Sequence, residues 1–475
     1  MNPSLRLPAV LLCFALALFL LFWRLGTVPV SSWDEARYGG NAVEMTRSGD
    51  YVNYHFRGQL DLWNAKPPLQ VWLIAGANRL FGENEFSLRL PSAIAGLLTL
   101  MVIFAWGWRA GGPTLACLFL LLGTLNRALI GYHVARSGDM DALFVLGLAV
   151  FSFALFWLLE EKREDSFAWV MVFLGLAIAF MAKGFAFLLV GPGALWVVRR
   201  SLRRILTSRR FWISSLVFFV TVAVWLGTLS LHGKSNPQSD IGPNAAAVMV
   251  FYDIFGRFFG GMNAVEEIEP FLVFMYMDVR FLALYHALIL LLILAWWKRR
   301  AWKTPPARTV FFHDVGTRDR MFDFSVALSL SVFVLLALSK NKINWYIAPL
   351  VIWMPVLIMT LVDRLATISR RWKIAALSLL ALALLVNLVH QVKGIIEASP
   401  STSIARFVRD NRESLHGARR ITVNKILEQS EYLYLRWSSH ADIIETGSFY
   451  EDGQFRGLTC QEGDCQIIVL PPEQR

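Results

Sequence analysis

LPAVLLCFALALFLLFW, residues 7–23, is an unbroken apolar run, and WDEARYGGNAVEMTRSGDYVNYHFRGQLDLWNAKPPLQVW, residues 33–72, is the polar stretch that follows. A helix needs about twenty apolar residues to cross a hydrocarbon core of ~30 Å, so the first run reads as a membrane span. A secretory leader would end at a small-residue cleavage site. This run leads instead into Arg24 and Leu25, as a retained span would. The polar stretch opens on adjacent carboxylates, Asp34 and Glu35. Carboxylates beside a bilayer cost energy unless they are solvated, paired or used, so chemistry is expected to start here.

The alternation continues along all 475 residues, which are 56% hydrophobic and 17% charged. Soluble domains carry roughly a quarter charged residues. Apolar blocks near 7–25, 88–108, 113–131, 141–159, 167–182, 184–198, 211–231, 271–297, 323–339, 343–361 and 374–392 predict an all-α polytopic membrane protein with about eleven spans. The net charge of +11 suggests a polyanion partner, but its basic residues cluster at 199–210, 298–303 and 370–373, between spans. That is the positive-inside bias; it reports topology and gives no reason to expect nucleic acid. With a cytoplasmic N-terminus, the loops left outside are 26–87, 132–140, 232–270, the turn at 340–342 and the tail.

Within the first outer loop, Glu35 to Arg47 reads as an amphipathic helix with Asp34 as its N-cap. A second helix can open at Pro67, because proline fits a first turn. Both are expected to lie along the membrane surface. After a transmembrane domain spanning 1–392, the segment 393–475 changes character. Strand patterns at 420–423, 441–445 and 466–470 and a helical pattern at 404–415 predict a small soluble α/β domain on the outer face. Cys460 and Cys465 lie close together there and would bridge in an oxidising compartment; two free thiols fit the sequence equally well.

The candidate chemistry all falls on the outer side. Asp34 and Glu35 are joined by a second acidic pair, Asp139 and Asp141, with Asp141 at the mouth of the fourth span, where the helix dipole favours its ionised form. Capping alone would also account for such acids. Lys66, Lys340 and Lys342 face outward against the positive-inside bias, which points to an anionic ligand such as a phosphate. Snorkelling to lipid headgroups is the plainer alternative. Tyr346 lies one helical turn beyond Lys342, Lys183 stands at a tight turn between two spans, and Arg257 sits in an aromatic stretch of the large outer loop. A guanidinium there can clamp a phosphate or stack on rings. His55, His133 and His232 are isolated, so no metal site or cofactor is expected, while a carboxylate-held divalent ion stays open. No nucleotide-binding loop is evident.

AspGluAlaArgTyr (34–38), GluMet (44–45), SerGlyAsp (48–50), LysProPro (66–68) and LeuArgLeuProSer (88–92) occur in that order. The series resembles the GT-C membrane glycosyltransferases that take sugars from polyprenyl-phosphate carriers, among them the lipid A aminoarabinose transferases and protein O-mannosyltransferases. ArgSerGlyAspMetAspAlaLeu, MetAlaLysGly, ArgPhe at 257–258 and LysAsnLysIleAsnTrpTyrIleAlaPro resemble the later motifs of that group. The aminoarabinose transferases carry an acid before the first-loop lysine and a loop histidine that hold zinc. Ala65 and Ile254 stand at those positions here, so the resemblance implies no such zinc site.

The resemblance implies a GT-C fold and a multi-pass protein of the bacterial inner membrane acting on its periplasmic side. Lys66, Arg257, Lys340 or Lys342 and Tyr346 would hold the donor phosphate. Asp34 would serve as base or orienting carboxylate, and Asp141 would position the acceptor or the base, in an inverting transfer. The implied acceptor is an envelope glycolipid, lipid A or lipopolysaccharide core, with a protein Ser or Thr as the alternative. A lipid-linked-sugar flippase would instead bury ionisable groups in mid-span, where this sequence has few. A non-catalytic lipid-binding scaffold would keep the cations but have no need of Asp34.

Overall fold

Ala17, Leu20 and Leu21 form the buried face of the first helix, α1 (Pro3–Phe22), while Leu11, Leu12 and Leu18 face outward. This computed structural model describes residues 3–61, 66–131, 133–160, 165–234, 246, 249–250, 282–297, 308–339, 344–397, 402–449 and 454–470. The first loop holds α2 (Asp34–Ser48), a hairpin of β1 (His55–Phe56) and β2 (Gln59–Leu60), and α3 (Leu69–Phe81). Asp34 is the first residue of α2 and not its N-cap, a correction to the sequence reading. Trp33 takes the cap position at φ 72 with no side-chain cap bond. The backbone carbonyls of Ser31 and Trp33 accept the Ala36 and Arg37 amides, so the turn closes without the Asp34 carboxylate.

The bundle follows in chain order. It comprises α4 (Glu85–Thr124), α5 (Arg127–Ile130), α6 (Asp141–Glu160), α7 (Ser166–Lys183), a 3-10 segment (Gly184–Val190), α8 (Gly191–Val198), α9 (Leu202–Thr207) and α10 (Arg209–His232). Next come α11 (Leu282–Trp297), α12 (Val315–Leu338), a 3-10 segment (Asn344–Ile352), α13 (Met354–Ile368) and α14 (Arg370–Glu397). Helix α6 is apolar on every side and buried along most of its length, so it forms the axis of the bundle. The outward faces of α10 and α14 expose Phe219, Val220, Val224, Leu382, Leu385 and Val389, as lipid-facing helices do.

Among the described residues, six helices are long and apolar enough to cross a membrane, or seven if a pair bent by 51° at Trp353 counts as one span. Two of these rods contain reversals. In α4, Gly112 adopts φ 76, a left-handed conformation open to glycine, and the arms fold back on each other. A Cβ on Gly107 would stand 2.8 Å from the Ala116 Cα. The chain turns again at Gly184: Lys183 reaches Asp141 at one end of α6, while Trp196 and Arg199 line a cavity with Glu160 at the other. The apolar block 88–108 lies on the first arm of α4, 113–131 starts on its second arm and runs on into α5, and 167–182 and 184–198 lie along the second rod. At the opposite end from Asp141, fully buried Arg318 is held between Asp319 and Asp363 and ties α12 to α13.

Beyond α14 the described chain forms α15 (Ser403–Asp410), α16 (Arg412–His416), β3 (Arg420–Ile426), α17 (Gln429–Ser438), β4 (Asp442–Phe449), β5 (Gln454–Gln461) and β6 (Asp464–Leu470). The sheet order is β4-β3-β6-β5, with β3 parallel to both neighbours and β5 antiparallel to β6. Cys460 and Cys465 face each other across β5 and β6 and are disulfide-bonded. Helix α17 and strand β5 have no counterpart in the strand and helix patterns read from the sequence.

One apolar core runs through this segment and the first loop, joining Val30, Tyr38, Met45 and Met140 to Phe407, Ile421, Leu433 and Ile467. Adjacent glycines on α2 allow the close approach, since a Cβ on Gly39 would come within 2.7 Å of Leu433 and one on Gly40 within 2.6 Å of Phe56. Polar contacts reinforce it. Tyr434 accepts from the Val30 amide and donates to Glu85, and Arg47 donates to the Arg436 and Ser439 carbonyls.

Candidate active site

Helix α2 presents its first two carboxylates to different surroundings. Glu35 is 2% exposed. One of its oxygens takes Arg89 Nε at 2.6 Å and the Gly138 amide at 3.0 Å; the other takes Arg89 Nη2 and the Ser31 amide at 2.9 Å each and the Ser31 hydroxyl at 3.1 Å. Burial pushes this carboxyl up, but Arg89 and the two amides more than reverse that and hold it below the usual carboxylate range. Glu35 was a catalytic candidate in the sequence. With its lone pairs taken, it is a strut joining α2, α4 and the 133–140 loop.

Asp34 turns the other way. Its carboxylate, a His133 ring nitrogen and an Asp139 oxygen all lie within 4.8 Å of one another. His133 is buried at φ 67, a left-handed conformation that costs a non-glycine residue about 1–2 kcal/mol. Its Nδ1 meets the Asp139 carboxylate, and its ring stacks on Trp345 with centroids 3.7 Å apart. The loop is fixed from several sides. Ser137 donates to Asp139, Ser92 donates to the Asp139 carbonyl at 2.9 Å, and Gln70 donates to Ser92 and to the Gly138 carbonyl. Arg89 and Ser92 both belong to LeuArgLeuProSer, so that motif holds the two acidic segments in register.

Cations flank the acids. Lys66 Nζ donates to the buried Tyr38 hydroxyl at 3.1 Å. Arg37, one residue before Tyr38 on α2, clamps the buried Asp61. Lys183 Nζ donates to Asp141 and stands 4.5 Å from the centre of the Tyr346 ring. The structure thus brings Asp34, Asp139, Asp141, Lys66, Lys183 and Tyr346 to one end of the bundle. Arg257, Lys340 and Lys342 lie outside the described residues. Tyr38 and His133 were given no role from sequence. The one sequence signal for Tyr38 is its place in AspGluAlaArgTyr, and His133 carries none, because its partners come from other segments.

Three carboxylates in low dielectric repel one another. Burial pushes Asp139 up to about 6; His133 opposes this, while Asp34 and Asp141 add to it. Burial pushes the His133 imidazole down, and Asp139, Asp34 and Asp141 more than reverse that. His133→Gln removes the cation that restrains Asp139, so Asp139 takes up its proton at a higher pH. Activity on acidification is then expected to fail at a higher pH than in the parent, with neutral-pH turnover down roughly tenfold, read from a pH–rate profile. An unmoved acid limb would separate His133 from Asp139 function. Asp34, His133 and Asp139 also present the imidazole and carboxylate donors that divalent ions take, in the one such cluster among the described residues.

Comparison with known proteins agrees with this architecture. Residues 65–227 match the family described as dolichyl-phosphate-mannose-protein mannosyltransferase. An undecaprenyl phosphate-alpha-4-amino-4-deoxy-L-arabinose arabinosyl transferase of Pseudomonas aeruginosa is 30% identical over 187 residues, covering 37% of this chain and 32% of that protein. One from Pseudomonas fluorescens is 26% identical over 404 residues, covering 82% of this chain and 64% of that protein. The chain therefore matches about a third of the length of the first of these relatives. Among solved structures, ArnT from Cupriavidus metallidurans bound to undecaprenyl phosphate superposes with a TM-score of 0.63 at 17% identity, over 90% of this chain and 84% of that one. The Archaeoglobus fulgidus oligosaccharyltransferase gives 0.56 at 11% identity, over 95% and 65%. The chain thus resembles these transferases in sequence over the matched segments and shares the fold of the two solved structures.

Proposed function

We propose that this chain transfers a sugar from a polyprenyl-phosphate carrier to a hydroxyl of an envelope glycolipid, at the non-cytoplasmic face of a bacterial inner membrane. The observation that carries the reading is the meeting of a partly exposed Asp34 with buried His133, Asp139 and Asp141 in one cluster flanked by Lys66 and Lys183. A polyprenyl phosphate leaves readily once its charge is held, and preorganised cations supply that hold. Lys66 with Tyr38 is placed for it, with Arg257, Lys340, Lys342 and Tyr346 as further candidates. Asp34 accepts or orients the acceptor proton, while Asp139, steadied by His133, and Asp141, neutralised by Lys183, shape the field around it. Attack opposite the leaving phosphate inverts the anomeric carbon.

In this reading the bundle has eleven spans, α2 and α3 lie along the membrane surface, and the Cys460–Cys465 bridge supports an oxidising outer compartment for the C-terminal segment. The match to protein mannosyltransferases favours a Ser or Thr acceptor as the second reading. Both acceptors are tested by incubating the purified protein with radiolabelled polyprenyl-phosphate sugars and either envelope glycolipid or envelope protein. Label moving to glycolipid alone supports the first reading, and label on protein supports the second. Labelled donor unchanged in both mixtures would overturn transfer. Lys66→Ala is expected to raise the donor KM roughly tenfold or more with a smaller change in kcat, since it removes a charge-assisted contact to bound phosphate. An unaltered KM would remove Lys66 from the donor site.

A further inference from the structure

The Arg89–Glu35 pair is also one wall of a separate cavity of about 310 Å³, lying between the end of α1, α5 and the far end of α14. Three guanidiniums line it, those of Arg89, Arg127 and Arg136, against a single carboxylate, Glu35. Arg136 donates to the Leu20, Leu21 and Trp23 carbonyls at 2.8 to 2.9 Å and so caps α1. Arg24 donates to the Ile395 and Ile396 carbonyls at the end of α14. Carbonyl oxygens satisfy these donors but carry only partial charge, so positive charge remains in excess. Burial, with Arg89 and Arg24 close by, pushes the Arg136 guanidinium down to about 10.

Gln391 on α14 supplies an independent sign of a ligand. It is 6% exposed and lines the cavity, and neither its amide nitrogen nor its amide oxygen has a hydrogen-bond partner. A buried amide left unpaired forfeits its hydration with nothing in return, a cost that a bound acceptor for its N–H would relieve. The surrounding charge selects an anion as that acceptor. Gly394 and Ile395 place the cavity close to the end of a lipid-facing span, about where headgroups meet a bilayer.

We propose that this cavity binds a phosphate group, held by the Gln391 amide and the Arg127 and Arg136 guanidiniums, at a site separate from Lys66, the cation proposed for the donor phosphate. The phosphate comes either from the headgroup of an acidic phospholipid or from solution.

The full-length protein is reconstituted in nanodiscs of phosphatidylcholine containing a minor share of phosphatidylglycerol, and retained lipid is counted by native mass spectrometry. The parent should retain phosphatidylglycerol over phosphatidylcholine, and Gln391→Leu should weaken that retention roughly tenfold without lowering its thermal unfolding midpoint. A second variant, Gln391→Glu, places a negative charge in the cavity and should abolish retention. Millimolar inorganic phosphate is titrated in a parallel arm. Phosphate binding that is sensitive to Gln391→Leu, without lipid retention, identifies the soluble anion as the source. Parent and both variants equal for lipid and for phosphate would overturn the site. Sugar transfer is not the readout, so the outcome stands apart from the proposed reaction.

Discussion

Asp34→Asn is expected to lower sugar transfer by roughly 10²–10⁴-fold while leaving the protein folded. Among the described residues, no hydrogen bond or ion pair holds the Asp34 carboxylate, although His133 and Asp139 crowd within 4.8 Å of it. The amide substitution keeps shape and removes both basicity and charge. Since Asp34 closes no helix cap and no salt bridge, stability has little reason to change. Steady-state transfer in detergent, paired with a thermal unfolding scan, reads both quantities. Activity within tenfold of the parent would remove Asp34 as the central acid.

The neighbouring residue should behave in the opposite way. Glu35→Ala leaves Arg89, itself 3% exposed, charged and without its carboxylate, and the Gly138 and Ser31 amides without an acceptor. Breaking a buried pair by removing one partner costs about 3–5 kcal/mol. The expected result is a large fall in unfolding midpoint and loss of activity by unfolding. Glu35→Leu combined with Arg89→Met should recover much of the midpoint, because no unpaired charge is then left inside. A single Glu35→Ala variant as stable as the parent would contradict the strut.

The pair also has a pH signature. The folded Glu35 carboxyl lies below its unfolded value, so its contribution is fully present above the ordinary glutamate pKa. It is lost as pH falls through the lower, folded value. Acid unfolding of the parent should therefore carry a component missing from the double variant.

Hydropathy over single helices and charge clusters between them sufficed to read a polytopic helical membrane protein, and the ordered first-loop motifs carried its likeness to the GT-C transferases. These signals are local: a span needs its own apolar residues, and the positive-inside bias acts on each loop in turn. The gathering of Asp34, Asp139, Asp141, Lys66, Lys183 and Tyr346 at one end of the bundle was legible through topology, since each sits at a loop–helix junction on the same side. The division of labour between Asp34 and Glu35 was not legible. It rests on Arg89, 54 residues away from Glu35, and on the Gly138 amide, 103 away. His133 was invisible for the same reason, being defined by Asp139 across a strained turn and by the stacked Trp345 from another segment.

The C-terminal segment likewise showed three of its four strands in sequence, but neither β5 nor the core it shares with α2, which depends on a Gly39–Leu433 approach between distant parts of the chain. Periodicity determines which face of an element is apolar. Which partner covers that face, and which carboxylate is left for chemistry, is decided when distant segments compete for the same hydrogen bonds and the same buried space.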